Sequence, residues 1–168
     1  MQNKTTVLRW IFITISFLAI SLIFWNTYAF FNQLKENERG KMQIWAAAQE
    51  EFQKVGLGDG EINKIVLDIL QSNSTTPMVL YTHKENSYGV RNIKEKVADT
   101  AKLREKRKAL TVQFESEYKP IQVKYNDELL QTIYYGNSPI INKLKYYPAV
   151  LILIILLLFL ALYFFYQT

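Results

Sequence analysis

The sequence from Pro148 to Tyr166 reads PAVLILIILLLFLALYFFY and contains no charged residue. A hydrocarbon core of about 30 Å is crossed by roughly 20 apolar residues that rise about 1.5 Å each in a helix. A soluble helix this long and this uniformly apolar needs a far larger protein around it to bury every side. The run therefore predicts a transmembrane helix over 148–166, followed by a short cytoplasmic stub, 167–168.

A second apolar run lies near the other end of the chain, where residues 10–31 read WIFITISFLAISLIFWNTYAFF. The apolar core of a cleavable signal peptide is only about 7–15 residues long. We therefore interpret this longer run as an uncleaved signal anchor that forms the first transmembrane helix, in preference to a cleaved signal peptide.

Basic residues give the predicted orientation. Lys4 and Arg9 lie in the N-terminal segment 1–9, and positive charge next to a span favours the cytoplasmic side. The segment 32–147 is then one extracytoplasmic domain, and the second span returns the chain to the cytoplasm. The sequence predicts a two-pass membrane protein with both termini cytoplasmic and the central domain on the opposite side of the membrane.

Aromatic residues mark the ends of both apolar runs, which is typical of side chains at the membrane–water interface. No Lys or Arg follows the second run, although a basic anchor is usual there, so we expect the natural chain to continue beyond Thr168. The predicted interface anchors are Trp10, Trp25, Tyr28, Tyr146, Tyr147, Tyr163 and Tyr166.

Composition excludes several classes of function. The chain has no cysteine, which excludes disulfides, thiol catalysis and cysteine-based zinc sites and fits an oxidising compartment. All 15 acidic residues lie between the two apolar runs, interspersed with most of the basic ones. A net charge of +5 that is mixed in this way does not indicate nucleic-acid binding.

Two helices are predicted at the start of the central domain. The first continues out of the membrane over 32–55, where apolar residues recur at helical spacing and no proline interrupts, and a glycine-rich break follows at 56–60. The second covers about 61–72. Its apolar residues repeat at i, i+3, i+4, i+7 and i+8, so we expect this stripe to be core: Ile62, Ile65, Val66, Ile69 and Leu70.

Two hairpins are predicted further along. Strand-like segments at 77–83 and 88–92 flank the polar turn 84–87, and segments at 120–125 and 130–135 flank an Asn-Asp turn.

A charged helix over about 93–111 separates the two hairpins, and Ser138 can cap a final helix that starts at Pro139. This order predicts an α+β membrane protein: two transmembrane helices flanking a small domain in which a roughly four-stranded antiparallel sheet packs on helices. A PAS-like arrangement is one way to build it.

No motif for catalysis was found. The single histidine, His83, ends a strand without a carboxylate at catalytic spacing, and the chain lacks a P-loop, a nucleophile elbow and a His-Glu-x-x-His motif. We therefore predict no enzyme activity, catalytic residue, metal ligand or cofactor.

Two features of the domain leave alternatives open. The basic cluster at 102–108 is read as a solvated helix face, with attraction to anionic headgroups or a polyanion as the sharper alternative. Aromatic residues in the domain are either core residues or the lining of a sensory pocket. These are Trp45, Tyr81, Tyr88, Tyr125 and Tyr134.

Three stretches carry a family resemblance: MQIWAAAQEEF at 42–52, ILQSNSTTPMVLYTHKENSYGVRNI at 69–93 and TIYYGNSPIINKLKYYPAVLILI at 132–154. They resemble the sensor region of bacterial two-component histidine kinases, in which a helix ending in Gln-x-Asn-x-Thr-x-Pro leads into a hairpin. The resemblance does not cover the charged helix over 94–111. It lies in structural motifs, and the kinase domains themselves are not in this chain.

The resemblance implies a signal-sensing and transmission module that lies in the lipid bilayer of the bacterial inner membrane. Its central domain would be periplasmic and would respond to an unknown extracytoplasmic ligand. The alternative is a small membrane-anchored accessory subunit of a cell-envelope complex. A homodimer and a larger complex are both compatible with the sequence, which identifies neither the stimulus nor the oligomeric state. A reading frame that continues past Thr168 into a histidine-bearing helix would favour the kinase.

Overall fold

The structure, a computed structural model, describes residues 2–56, 61–95 and 100–167, and the chain divides into two units. An apolar unit comprises Met1–Leu34 and Lys143–Thr168, and an α+β unit comprises Lys35–Asn142. The first helix, α1 (Gln2–Gly56), supplies residues to both units.

The apolar unit contains the first part of α1 and the last helix, α5 (Tyr147–Gln167). By length and composition, the helical stretches Ile13–Val55 and Pro139–Leu160 are each apolar and long enough to cross a membrane. The prediction of two helices that are long and apolar enough to span a membrane is thus confirmed.

The α+β unit is built around a four-stranded antiparallel sheet with strand order β2-β1-β4-β3. The two predicted hairpins are β1–β2 and β3–β4, and they join through pairing of β1 with β4 at the centre. This confirms the mixed α+β class and the antiparallel sheet. The elements after α1 are α2 (Lys64–Ser72), β1 (Met78–Thr82), β2 (Ser87–Arg91), α3 (Thr100–Glu117), β3 (Ile121–Tyr125), β4 (Glu128–Tyr135) and α4 (Pro139–Leu144).

One face of the sheet, which we call the α1 face, packs on α1 and α2. Side chains alternate along a strand, so Met78 pairs with Tyr135 and Leu80 with Ile133 on this face. The Trp45 indole of α1 donates a hydrogen bond to the Leu70 carbonyl of α2 at 3.0 Å. The core of the unit lies here and includes Met42, Trp45, Ala46, Ala48, Leu70, Met78, Tyr118, Val123, Ile133 and Tyr135.

The opposite face, which we call the α3 face, is covered by α3, which packs on β4, β2 and β1. Val79 is fully buried and Phe114 of α3 nearly so. Gly136 permits this packing, because a Cβ there would lie 2.5 Å from the Phe114 ring.

The turns follow from their residues. Asn126 and Asp127, between β3 and β4, have φ angles of 48° and 62°, the left-handed conformation that Asn and Asp tolerate in two-residue hairpin loops. The predicted Asn-Asp turn is confirmed. Asn86, at the end of the β1–β2 turn, has a φ angle of 49°.

Two helix predictions need correction. The second helix starts at Lys64, later than predicted, because Asn63 caps it: the Asn63 side chain accepts a 2.9 Å hydrogen bond from the Ile65 amide. The charged helix covers Thr100–Glu117 rather than 93–111; residues 93–95 precede it in non-helical conformation, and residues 96–99 lie outside the described part.

The predicted core stripe of the second helix is also partly wrong. Leu70 is buried, and Val66 and Ile69 pack against the core. Ile62 and Ile65, however, are 40% and 64% exposed. Ile62 precedes the helix. The nine-residue helix presses only one side on the sheet, and Ile65 in its first turn stays exposed.

Candidate ligand-binding cleft

A cleft of about 390 Å³ lies between the β1–β2 turn and the first two turns of α3. This volume is within the range of about 300–1,000 Å³ that is common for small-molecule sites. Glu85, Asn86, Ser87 and Tyr88 line it from the hairpin, and Thr100, Leu103, Arg104 and Arg107 line it from α3.

Arg107 is a fixed part of the cleft wall. Its guanidinium donates two hydrogen bonds to the Glu95 carboxylate, at 2.9 and 2.6 Å, and a third to the Tyr88 carbonyl at 2.6 Å. Hydrogen bonding by Arg107 lowers the pKa of the Glu95 carboxyl, and hydrogen bonding by Glu95 raises the pKa of Arg107. The pair ties α3 both to the segment that precedes it and to the backbone of β2.

Arg104 is held differently. One of its nitrogens donates to the Asn86 side-chain oxygen at 3.0 Å, and its guanidinium lies 5.9 Å from the centre of the Tyr88 ring. The Arg104 side chain is otherwise exposed. It lies over the turn without a carboxylate partner among the described residues.

Aromatic rings support the hairpin wall. The rings of Tyr81 and Tyr88 are 4.8 Å apart, and the Tyr81 hydroxyl donates to the Asn86 side-chain oxygen at 3.0 Å. The ring of His83 packs edge-on against Tyr81 at 4.7 Å, and its Nε2 is 2.9 Å from the Thr132 hydroxyl. Tyr81 and Tyr88 are thus brought together at the cleft, with Tyr88 in its lining.

The other aromatic residues predicted for a pocket or core lie elsewhere. Trp45 is buried in the core of the α1 face. Tyr134 is half-buried on the α3 face, where burial raises its pKa. Tyr125 is half-buried at the end of the edge strand β3, opposite Glu128. These three do not line the cleft.

A buried polar network gives the Gln-x-Asn-x-Thr-x-Pro motif its local structure. Asn73 and Thr76 are almost fully buried between α2 and β1. The Asn73 side-chain oxygen accepts a 3.1 Å hydrogen bond from the Thr76 backbone amide. The side-chain amide of Asn92 donates hydrogen bonds to the backbone carbonyls of both Asn73 and Thr76. The Thr76 hydroxyl also donates to Glu38 of α1. These bonds join the helices to the first strand.

A second junction joins the two ends of the α+β unit. The ring of Tyr118 stacks on Tyr135 at 4.7 Å, and its hydroxyl donates to the Asn137 side chain at 2.9 Å. The Lys35 ammonium lies 5.0 Å from the centre of the same ring. Burial of the hydroxyl raises the pKa of Tyr118, so the group is a neutral donor. Lys35, where the chain enters the unit, and Asn137, close to where it leaves, therefore both contact the Tyr118 side chain.

The predicted interface anchors are exposed wherever their side chains are described. Trp25 is 75% exposed. Tyr28 lines an apolar cavity of about 310 Å³ within the apolar unit, together with Phe31 of α1 and Pro148 of α5. The remaining described anchors, all more than half exposed, are Trp10, Tyr146 and Tyr147. The side chains of Tyr163 and Tyr166 lie outside the described part of the structure.

Sequence reasoning missed Asn86, Arg104 and Arg107 as members of one cleft, and it missed Glu95 as the partner of Arg107. The signal was a spacing: Leu103, Arg107, Leu110, Thr111 and Phe114 fall on one side of a helix, with the charged Arg107 inside an otherwise buried stripe. An arginine there needs a partner, because a buried charge is costly without one.

Comparisons with protein-family models, with curated proteins and with solved structures found no match. Within residues 2–56, 61–95 and 100–167, no three His, Asp or Glu side chains are grouped so that they could hold a metal ion.

Proposed function

We propose that this chain is the sensing and transmission module of a two-component histidine kinase, anchored in the bacterial inner membrane by two helices with the α+β unit in the periplasm. The observation that carries the proposal is the Tyr118 junction. Because Lys35 and Asn137 both contact Tyr118, a displacement of α1 at the entry to the unit changes the surroundings of its exit. A transmembrane sensor needs such a coupling between its two connections to the membrane.

The hydroxyl groups of the first apolar stretch support membrane insertion. Thr14, Ser21 and Thr27 each donate a hydrogen bond of 2.8–2.9 Å to the carbonyl four residues earlier in α1. Polar groups in a bilayer must be satisfied within the protein. These three hydroxyls meet that requirement within α1 itself.

The cleft supports a sensing role because it lies at a hairpin turn on the α3 face, away from the core that holds the unit together. A ligand shifts an equilibrium only by its difference in affinity for two states. The cleft has walls from two elements, the β1–β2 hairpin and α3, whose relative position a ligand can change.

The proposal is tested by fusing residues 1–168 to the dimerisation and ATP-binding domains of a histidine kinase. About four joints that differ by one residue cover a full helical turn. We expect at least one fusion to autophosphorylate in membranes. Replacing Tyr118 with Phe removes the hydrogen bond to Asn137, typically worth about 0.5–1.5 kcal/mol, and should change the rate about fivefold.

The matched control is Tyr125→Phe, a half-buried tyrosine at the far edge of the sheet with no contact to the junction, which should change the rate less than about twofold. If every fusion is inactive, or if the two variants behave alike while both are folded, the transmission module is refuted.

A second candidate function, the accessory subunit of an envelope complex, is favoured by the apolar surface of α2. Ile65 and Leu67 of α2 are 64% and 36% exposed, and Ile62 just before the helix is 40% exposed. Such a surface suits contact with another protein. In that case, mild detergent should extract the chain in an assembly larger than a dimer. Ile65→Asp should release it, whereas Lys64→Asp, on the next residue, should not. Extraction as a monomer or dimer would exclude a function as accessory subunit of a larger complex.

A further inference from the structure

We infer that the cleft between the β1–β2 turn and α3 binds a small organic carboxylate, with Arg104 as the residue that receives it. The inference deepens the proposed sensor function by naming the class of ligand. Binding is measured apart from signalling, so that either one can fail alone.

The two arginines of the cleft differ in how their guanidinium groups are engaged. Arg107 uses its guanidinium on Glu95 and on the Tyr88 carbonyl, and its charge is matched by that carboxylate. A guanidinium carries five N–H donors, and within the described part of the chain Arg104 uses one, toward Asn86. Arg104 therefore offers both a charge and a fork of donors to the cleft.

The groups around Arg104 extend the site. Asn86 already accepts hydrogen bonds from Tyr81 and Arg104 through its side-chain oxygen, so its amide nitrogen is left to donate. The Thr100 side chain lines the same cleft with a hydroxyl that can donate, whereas the Ser87 hydroxyl in the lining donates to Glu85. A carboxylate accepts at both oxygens, and the bidentate fork of arginine matches its planar geometry.

The apolar part of the lining indicates the rest of the ligand. The Leu103 side chain and the Tyr88 ring line the cleft beside the donors, and an aromatic face with an aliphatic side chain suits a small apolar body. The volume of about 390 Å³ accommodates one small molecule rather than a polymer. These features together favour a compact carboxylate with a hydrophobic group.

The charged residues around the cleft indicate the charge of the ligand that it binds. Among the described residues that line the cleft, the acidic side chain is Glu85, which is exposed and accepts a 3.3 Å hydrogen bond from the Ser87 hydroxyl. Across the cleft, α3 carries the basic residues Arg104, Lys106 and Lys108 on exposed positions against Glu105. The α3 wall thus favours an anion, and Glu85 is the group that would favour a cation instead.

The test uses the full chain in lipid nanodiscs and three probes of similar shape: benzoate, neutral benzamide and cationic benzylamine. Saturation-transfer NMR, with empty nanodiscs as the blank, measures binding of each probe. We expect saturable binding of benzoate alone. Arg104→Gln should weaken it at least about tenfold, the loss that one charge-assisted bidentate contact predicts.

The control variant is Arg39→Gln, which alters an exposed arginine of α1 and should leave benzoate binding unchanged. Arg104→Lys keeps the positive charge but lacks the bidentate guanidinium, so it should bind benzoate with intermediate affinity. If Arg104→Gln does not fold, Arg104→Lys takes its place in the test. Absence of saturable benzoate binding, benzoate binding that Arg104→Gln leaves intact, or binding of benzylamine in its place would each overturn the inference.

Discussion

The two faces of the four-stranded sheet are covered by helices of different character. On the α1 face, Trp45 and Met42 pack on Met78 and Ile133 in a buried apolar core. On the α3 face, the Arg107–Glu95 ion pair and the Arg104–Asn86 hydrogen bond lie beside a cleft. The α1 face contributes most of the apolar burial, whereas the α3 face has polar groups placed where a ligand can reach them.

This difference separates stability from binding. Burial of apolar area is the dominant stabilising term in folding, so substitutions on the α1 face should act on the free energy of unfolding. Partly exposed ion pairs and hydrogen bonds contribute less. Substitutions at the cleft should therefore leave the fold nearly intact, and the largest losses of stability should be confined to the α1 face.

The largest loss is expected for Trp45→Ala. Trp45 is 3% exposed and its indole donates to the Leu70 carbonyl, and removing a buried aromatic side chain costs about 3–5 kcal/mol. Ile44 precedes it on the same helix but is 60% exposed, so Ile44→Ala should cost less than about 0.5 kcal/mol. Pulse proteolysis of the full chain in detergent with increasing urea measures both. Equal costs would refute the assignment of the α1 face as core.

The next prediction compares two apolar residues of α2 that differ in burial. Leu70→Ala should cost about 2–4 kcal/mol because Leu70 is buried in the core. Ile65→Ala should cost less than about 0.5 kcal/mol, since Ile65 is 64% exposed. The same proteolysis assay compares them. A large loss for Ile65→Ala would mean that a partner or the unit itself covers this residue.

Close packing of Gly136 on Phe114 predicts that Gly136→Ala lowers the free energy of unfolding. A Cβ at Gly136 would lie 2.5 Å from the Phe114 Cε1 atom, and overpacking of this kind costs about 1–3 kcal/mol. Gly89→Ala is the control, because a Cβ there meets nothing closer than 3.9 Å. Phe114→Leu should recover part of the loss in the Gly136→Ala background. A harmless Gly136→Ala would show that α3 sits further from β4 than the structure has it.

The smallest of these effects concerns the Glu95–Arg107 pair, where Glu95→Gln should cost about 1 kcal/mol. Arg107 lowers the folded-state pKa of Glu95 below its usual 4.5. The contribution to the free energy of unfolding is therefore complete above that value and is lost as the pH falls through the lowered pKa. The free energies of unfolding of wild type and Glu95→Gln should differ at neutral pH and become equal at acidic pH. The control variant Glu128→Gln, at an exposed position, should have the same free energy of unfolding as wild type at every pH.

Local sequence signals predicted the elements well and their arrangement poorly. Pro77 and the Asn126-Asp127 pair placed the strands, because proline and left-handed turn residues act on their own neighbourhood. The central pairing of β1 with β4 joins segments far apart in the chain, and no local pattern encodes it. The boundaries of α3 were also wrong, because the helix covers Thr100–Glu117 rather than 93–111.

The cleft was only half predictable for the same reason. Tyr81 and Tyr88 stood out as strand aromatics, but Arg104 and Arg107 were part of a basic run that resembled a solvated helix face. The role of Arg107 depends on Glu95 and on the Tyr88 carbonyl, and that of Arg104 depends on Asn86. These contacts exist only after α3 folds onto the hairpin.

The central claim, that two helices hold the α+β unit outside the cytoplasm, is tested most directly by thiol accessibility. The chain contains no cysteine, so Lys84→Cys, at the exposed β1–β2 turn, introduces a single thiol, and Thr5→Cys serves as the cytoplasmic control. The account predicts that a membrane-impermeant maleimide labels Lys84→Cys in intact cells with a permeabilised outer membrane, and labels Thr5→Cys only after lysis. Labelling of Lys84→Cys only after lysis would contradict it.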